Sequence, residues 1–583
     1  MPSSSLVSLL DRLGDWNPQL YRELKSRYSL RTGQMVVVAS AIAQGLLFFI
    51  LQAGLPDKLS RFNRYCLGSP PPEYENSYYN GLFCTKDFLG NLIINWPLWW
   101  LDVFVTLSTV SILLLWVGGV YLLITDLAQE NGRGTLNFLR LSPRSVLTLL
   151  WGKLLGVPSL VYGFLALAIP LHLVAALAAN IPLPLLLSFY AVLGAGSVFC
   201  FALAILIGLA MGKDNLGQAF AISGLLAIVL TAMTLTTLQG GYQERHYLWE
   251  WLQLFYPGQA LYYLADATFL SEQSLDYLRS DQLLGLRWYG LPVFQQDWSG
   301  LAFIILNYSL WSYWLFQGLQ RCFRSPQRST WSKAQSYGMT LTLIVTVAGF
   351  FFQDMGIKGV MDNPQQVAVY LRGNFVILQL ILWAFFLVLT NALSLSRDTL
   401  RTWARYRHQA PQHQRSLWTD LLWGEQSPAP LALLANWGIV VLYLIPIMVF
   451  LPLGNYRLSL GFGLILGASF SLILALAFQY GLLRLAVNRL FLGVGLLLLS
   501  GLIPLGVALL FKSFGAHVLW FSVLPMAAST AGAGAAFWLS LIAQLSTLAL
   551  LSAFLRRHLQ HLGRSETYWL SASPQARPSL PKP

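Results

Sequence analysis

Charge is what this sequence has least of. Only 10% of its 583 residues are Asp, Glu, Lys or Arg, against about 25% in soluble proteins, which excludes a water-soluble enzyme or solenoid of this length. Cysteine is scarce too, with four residues in all, and that excludes a disulfide-built scaffold. Cys66 and Cys84 share one predicted outer loop; they form a disulfide if that loop meets an oxidising compartment, and are otherwise two unrelated thiols. Metal-ligand groupings are missing: His408 and His413 lack further ligands and His246 stands alone. A phosphate-binding loop is missing as well, because Leu147 stands where the Gly before Gly152-Lys153 is needed, and Leu154 where Ser or Thr is needed. No nucleophile elbow or catalytic carboxylate pair has a recognisable spacing. Neither enzyme chemistry nor a cofactor is expected.

What the sequence has instead is length in apolar runs. Hydrophobic residues make up 56% of it and the mean hydropathy is +0.57. Runs of about 20 residues, enough to cross a hydrocarbon core of roughly 30 Å, predict an all-α polytopic membrane protein with twelve spans. They fall at roughly 34–54, 98–125, 154–177, 184–211, 218–238, 299–319, 337–353, 373–395, 432–454, 460–482, 490–511 and 533–554. An even count puts both termini on one side. With that side cytoplasmic, its segments hold 26 of the 37 Lys and Arg residues, the bias that the positive-inside rule requires. The net charge of +13 is thereby assigned to anionic membrane lipids and cytoplasmic partners, with no nucleic acid involved. The first apolar run follows about 33 polar and basic residues and lacks a cleavage site, so it reads as a retained anchor. Asp102 is the one acid inside a span; three residues past Trp99, it reads as a solvated end of a helix at the outer interface. The absence of charge near the middle of any span disfavours an ion-coupled carrier.

Two halves follow one plan. Arg133-Gly134-Thr135-Leu136 after the second span is echoed by Arg397-Asp398-Thr399-Leu400 after the eighth, and Ser142-Pro143 by Ser427-Pro428. Basic stretches beginning at Arg321 and at Arg556 close the halves. The expectation is a 6+6 parallel repeat: a cytoplasmic amphipathic segment at 1–33, a first six-helix domain at 34–335, a degenerate second at 336–555 and a cytoplasmic tail at 556–583. In the N-terminal segment Asn17 caps a helix with Pro18 in its first turn. Leu20, Leu24 and Tyr28 form one face of it, and Arg22, Lys25 and Arg31 snorkel. In the loop after the second span, Gly132 and Gly134 permit a sharp turn, Leu136 and Leu139 form a short apolar face, and Ser142 with Pro143 starts the next helix.

These residues carry a resemblance. Glu130 shortly before Gly134-Thr135-Leu136, then Leu139, Ser142-Pro143 and Gly152-Lys153 ahead of an apolar span, is similar to the permease subunits of type-two ABC exporters. Asn17, Pro18, Arg22, Glu23 and Leu24 resemble the connecting helix of those subunits, and the likeness covers roughly residues 17–240. The resemblance implies a bacterial inner-membrane exporter component whose loop residues Glu130 to Pro143 dock on a separate ATP-binding subunit, with a substrate that is not legible. The second half departs from the pattern at Asp398 and in its longer loop, where Asp420, Glu425 and Ser427-Pro428 are the candidate contacts. The alternative is a polytopic scaffold or assembly protein of permease ancestry.

Overall fold

The computed structural model describes the chain outside residues 1–11, 13, 58–59, 69–82, 211–215, 239–246, 272, 275–280, 354–363, 410–415, 485–491, 494, 497, 511–518, 523, 532–533 and 564–583. The tail with Arg564, and the positions of His246 and His413, lie outside the described residues. Regular structure is all-helical, with no strand among the described residues. Nine described helices are long and apolar enough to cross a membrane, or ten if one bent pair counts as a span. The chain is therefore a multi-pass membrane protein, with fewer qualifying helices than the twelve runs. The run at 299–319 lies in a 28-residue helix, Asp297–Arg324, that carries Asp297, Asn307 and Gln317 and falls outside the nine. The run at 490–511 is only partly described, its described helical part including a π-turn at Leu498–Leu502 followed by Ile503–Leu510.

The chain divides into two compact units, the first holding most residues up to Phe323 and the second most residues from Arg324 onward. In the first unit, α1 (Pro18–Arg27) begins at Asn17, whose side chain accepts the Leu20 N–H. Helix α2 (Leu30–Ala53) exposes Met35, Val38, Ile42, Leu46 and Phe49 along one face, the apolar stripe of a membrane helix turned away from its neighbours. Helix α3 (Trp96–Arg133) has 38 residues, about 57 Å at 1.5 Å per residue, so it outruns the hydrocarbon core. A π-helical turn at Leu114–Gly118 interrupts it. Just beyond, Gly119 lies so close to the ring of Phe201 that a Cβ would stand 2.4 Å from it.

The run at 154–177 is not one straight span. It is divided among α5 (Val146–Gly156), α6 (Ser159–Ala166) and α7 (Ile169–Ala178), with a 47° bend between the first two. Pro158 lacks the N–H that would bond the Leu154 carbonyl, and the Tyr162 hydroxyl donates to that carbonyl instead, at 3.0 Å. Carbonyls on α6 and at the second break are met from outside: Tyr28 donates to Ser159 O at 2.7 Å, Ser40 to Phe164 O at 2.9 Å and Gln44 to Leu167 O at 3.3 Å. Between α3 and α5 lies the short helix α4 (Thr135–Leu141), and α8 (Leu183–Ala210), α9 (Leu216–Leu238) and α10 (Asp297–Arg324) complete the unit. The aromatic segment before α10 is packed into the unit: Tyr256, Tyr262 and Tyr263 are buried, with hydroxyls bonded to Thr234, Thr237 O and Phe294 O.

The second unit contains α11 (Lys333–Ala348), α12 (Pro364–Leu393), α13 (Arg397–Gln409), α14 (Leu417–Trp423), α15 (Pro430–Phe450), α16 (Arg457–Arg484) and α17 (Ala535–Gly563). Leu395, Leu400, Leu476, Leu483 and Leu555 form one core. Buried polar groups serve as interhelical links where lipid offers no partner: Asn436 bonds Thr340 and Ser336, and Gln544 meets Ser469.

Candidate functional site

The most concentrated polar feature of the first unit is built from α1, the end of α3 and α5. Gly152 and Gly156, four apart on α5, let α1 approach closely. A Cβ at Gly152 would stand 2.8 Å from Gln19 Cβ, and one at Gly156 would stand 2.6 Å from Glu23 Cβ. Asn17 fixes the crossing by donating to Thr148 O at 2.8 Å. Lys153, between the two glycines, is thereby carried under α1 with only 1% of its side chain exposed.

Six charges meet there. Lys153 Nζ lies 2.7 Å from Asp126 and 2.7 Å from Glu130. Arg22 reaches Glu130 at 2.5 Å and Glu23 at 3.1 Å, and Arg27 reaches Asp126 at 2.7 Å and Glu23 at 3.4 Å. Three cations balance three carboxylates, the condition for keeping charge out of water. Burial pulls the Arg22 guanidinium down, but its hydrogen bond to Glu23 and the charge of Glu130 outweigh that and hold it above its ordinary value. Oxygens of Glu23, Asp126 and Glu130 come within 4.8 Å of one another, a spacing that suits a metal cation. The Lys153 ammonium already supplies the positive charge at that place.

The loop residues singled out in the sequence divide sharply. Glu130 belongs to the ion cluster and is buried. Gly134 turns the chain with φ of +75°, a left-handed conformation that suits glycine, and Thr135 donates to Glu130 O at 3.2 Å. Leu136 and Leu139 are buried, while Phe138 and Leu141 are 77% and 86% exposed. The apolar face assigned to a partner therefore packs inside the chain, and the opposite side of α4 faces outward. Arg140 donates to Phe323 O at 2.8 Å, tying α4 to the end of α10. Ser142 and Pro143 lie in the turn; the cap of α5 is Ser145, which accepts the Thr148 N–H, so the helix starts three residues later than expected from Ser142.

Sequence reasoning missed the partners of Glu130. Asp126 lies four residues before it, one helical turn away on the same face, and Arg22, expected to snorkel, turns inward to Glu130 together with Arg27, which reaches Asp126. That spacing, together with a lysine set between two glycines, is the signal that was available.

In the loop before α3, Cys66 and Cys84 are joined by a disulfide, with Cα atoms 4.8 Å apart. Asp102 is fully buried, not a solvated helix end. It accepts from Arg64 at 2.6 Å, Tyr65 at 2.8 Å and Ser274 at 2.8 Å, which binds the loop to α3. In the second unit the candidate loop contacts are engaged internally: Asp420 accepts from Trp403 and Arg407 at 2.6 and 2.7 Å, and Ser427 both donates to Asp420 O and accepts from the buried Lys333 at 2.6 Å. No family model matches the chain, and neither does any curated protein or solved structure.

Proposed function

We propose that this chain is the membrane component of an ATP-driven export system similar to the type-two ABC exporters, working with a separate ATP-binding subunit. The observation that carries the reading is the ion cluster joining the surface helix α1 to both helices that flank α4. A force applied to α4 passes through Gly134 into α3, through Arg140 into the end of α10, and through Glu130 into α1 and Lys153. A short element so anchored acts as a lever, which is what coupling nucleotide turnover to a membrane pathway requires.

The finer reading has twelve spans in a 6+6 parallel arrangement, with both termini cytoplasmic in a bacterial inner membrane. The docking face moves from Leu136 and Leu139 to Phe138 and Leu141, the exposed apolar side chains of α4. Changing both to Ala should reduce copurification of the ATPase about tenfold, the loss of one or two central anchors, without altering thermal stability. Unchanged copurification and ATP-stimulated transport would defeat the assignment. A scaffold role without transport is the second reading, favoured by the self-engaged Asp420 and Ser427 of the second half; it predicts a stable assembly whose membership is indifferent to ATP.

A further inference from the structure

A cavity of about 180 Å³ opens in the first unit beside the break between α6 and α7. Its wall is apolar, with Leu115, Leu165, Ile169 and Leu193, and none of its lining residues is acidic or basic except His172. Ile169 on its lining is 46% exposed, and neighbouring Leu167, Leu173 and Leu187 are exposed as well. In a multi-pass membrane protein such a surface meets acyl chains.

One side of the cavity is a chain of hydrogen bonds, Ser108 to His172 to Tyr190, whose direction follows from the assignment that leaves no contact without a proton. The Ser108 hydroxyl lies 2.8 Å from the Phe104 carbonyl, which can only accept, so its single proton goes there. In that assignment the Ser108 oxygen accepts from the Nε2–H tautomer of His172 at 2.8 Å. His172 Nδ1 is left without a proton and accepts from the Tyr190 hydroxyl at 2.7 Å. Stacking on Phe104, with centroids 4.3 Å apart, holds the imidazole in this alignment. Every proton points away from the cavity. Tyr190, which lines it, therefore presents oxygen lone pairs and has spent its proton, and such a chain strengthens the acceptor at its end.

We infer that this cavity binds the hydroxyl end of a lipid-soluble alcohol or phenol that enters from the bilayer. The ligand must donate to Tyr190 Oη, and the Ser111 hydroxyl, which also lines the cavity, supplies a donor for the ligand's own oxygen. Ethers, esters and ketones have no proton for Tyr190. The space exceeds the roughly 150 Å³ that admits benzene in an apolar cavity, so a ring or a short stretch of tail fits inside while the remainder stays in lipid. The site is independent of any coupling to an ATPase.

The test uses the full chain in phosphatidylcholine nanodiscs with a diazirine-bearing hexadecanol, its adducts mapped by mass spectrometry. Adducts should fall at Leu165, Ile169 and Leu193. Unlabelled hexadecanol should suppress them about tenfold more effectively than hexadecyl methyl ether, since a site built around a hydrogen bond rejects the analogue that cannot make it. Tyr190→Phe should cut labelling about fivefold or more. Ser188→Ala on the same helix, which loses only a bond to Pro184 O, should leave labelling unchanged. Equal competition by the ether on the native chain, or adducts confined to other surfaces such as α2, overturns the assignment whatever Tyr190→Phe does to folding.

Discussion

Lys153 Nζ stands 2.7 Å from Glu130 Oε2, and both side chains are shut off from water, the lysine at 1% exposure and the glutamate at 12%. A buried charge of this kind stabilises little by its presence and costs a great deal when its partner goes. Lys153→Met should therefore destabilise the protein by about 3–5 kcal/mol, because Asp126 and Glu130 are left facing each other with only the more exposed arginines to compensate. Adding Asp126→Asn and Glu130→Gln should restore much of the loss. Thermal unfolding in detergent measures both, and a Lys153→Met protein as stable as its parent would show that the cluster holds nothing together.

The two glycines flanking Lys153 make a separate prediction. Atoms close to the backbone of α1 oppose them, Gln19 Cβ at Gly152 and Glu23 Cβ at Gly156, so a side chain cannot be absorbed by swinging a flexible tip aside. Gly156→Val should lift α1 from α5 and open the ion cluster, at a cost of about 1–3 kcal/mol and with faster tryptic cleavage after Arg22 and Arg27. Gly163→Val is the comparison. There the nearest atom is the tip of the Tyr28 side chain at 3.0 Å, so its effect should be smaller; an equal effect at both sites would refute the close crossing.

Helices were legible because apolar runs of membrane length have few other outcomes, and Asn17 with Pro18 marked the start of α1 by ordinary capping chemistry. What was not legible is who pairs with whom. Glu130 lies 108 residues from Arg22, and nothing local in either segment announces the other. The facing of α4 was misjudged because a seven-residue helix, Thr135–Leu141, has apolar residues on both sides; which side turns inward depends on α3 and α10. Asp102 was misread for a related reason. Its tryptophan neighbours pointed to an interface, whereas Arg64, 38 residues earlier, folds back over it. The breaks in the third segment were written in Pro158 and Pro170 but were outweighed by the continuous apolarity around them.

Sidedness can be read directly. In a chain with Cys200 and Cys322 replaced by serine, single cysteines at Arg328 and Thr402 should react with an impermeant maleimide only after the cells are opened, and a cysteine at the fully exposed Phe88 should react in sealed cells. The expectation rests on the 26 of 37 basic residues assigned to one side. Labelling of Arg328→Cys in sealed cells would invert or dismantle the twelve-span topology.

The Asp102 site makes a prediction of order rather than of size. Asp102 is fully buried, whereas Arg64 keeps 28% of its side chain in contact with solvent. Asp102→Asn preserves shape and leaves a guanidinium that water can reach, so the loss is that of hydrogen bonds to a charged group, about 1.5–3 kcal/mol. Arg64→Met removes the cation and leaves the carboxylate enclosed with the hydroxyls of Tyr65 and Ser274, which lie at 2.8 Å but carry no charge. Its cost should be the larger, about 3–5 kcal/mol. The double variant should unfold near Asp102→Asn alone, because without the carboxylate Arg64 keeps its contacts with Gln273 O and the Tyr65 ring, neither of which is an ion pair. Because the Cys66–Cys84 disulfide lies in the same loop, the series is best measured with it intact and again after reduction, when the ranking should persist at lower midpoints. A greater loss from Asp102→Asn than from Arg64→Met, in either state, would mean that burial of the carboxylate is not what makes this pair matter.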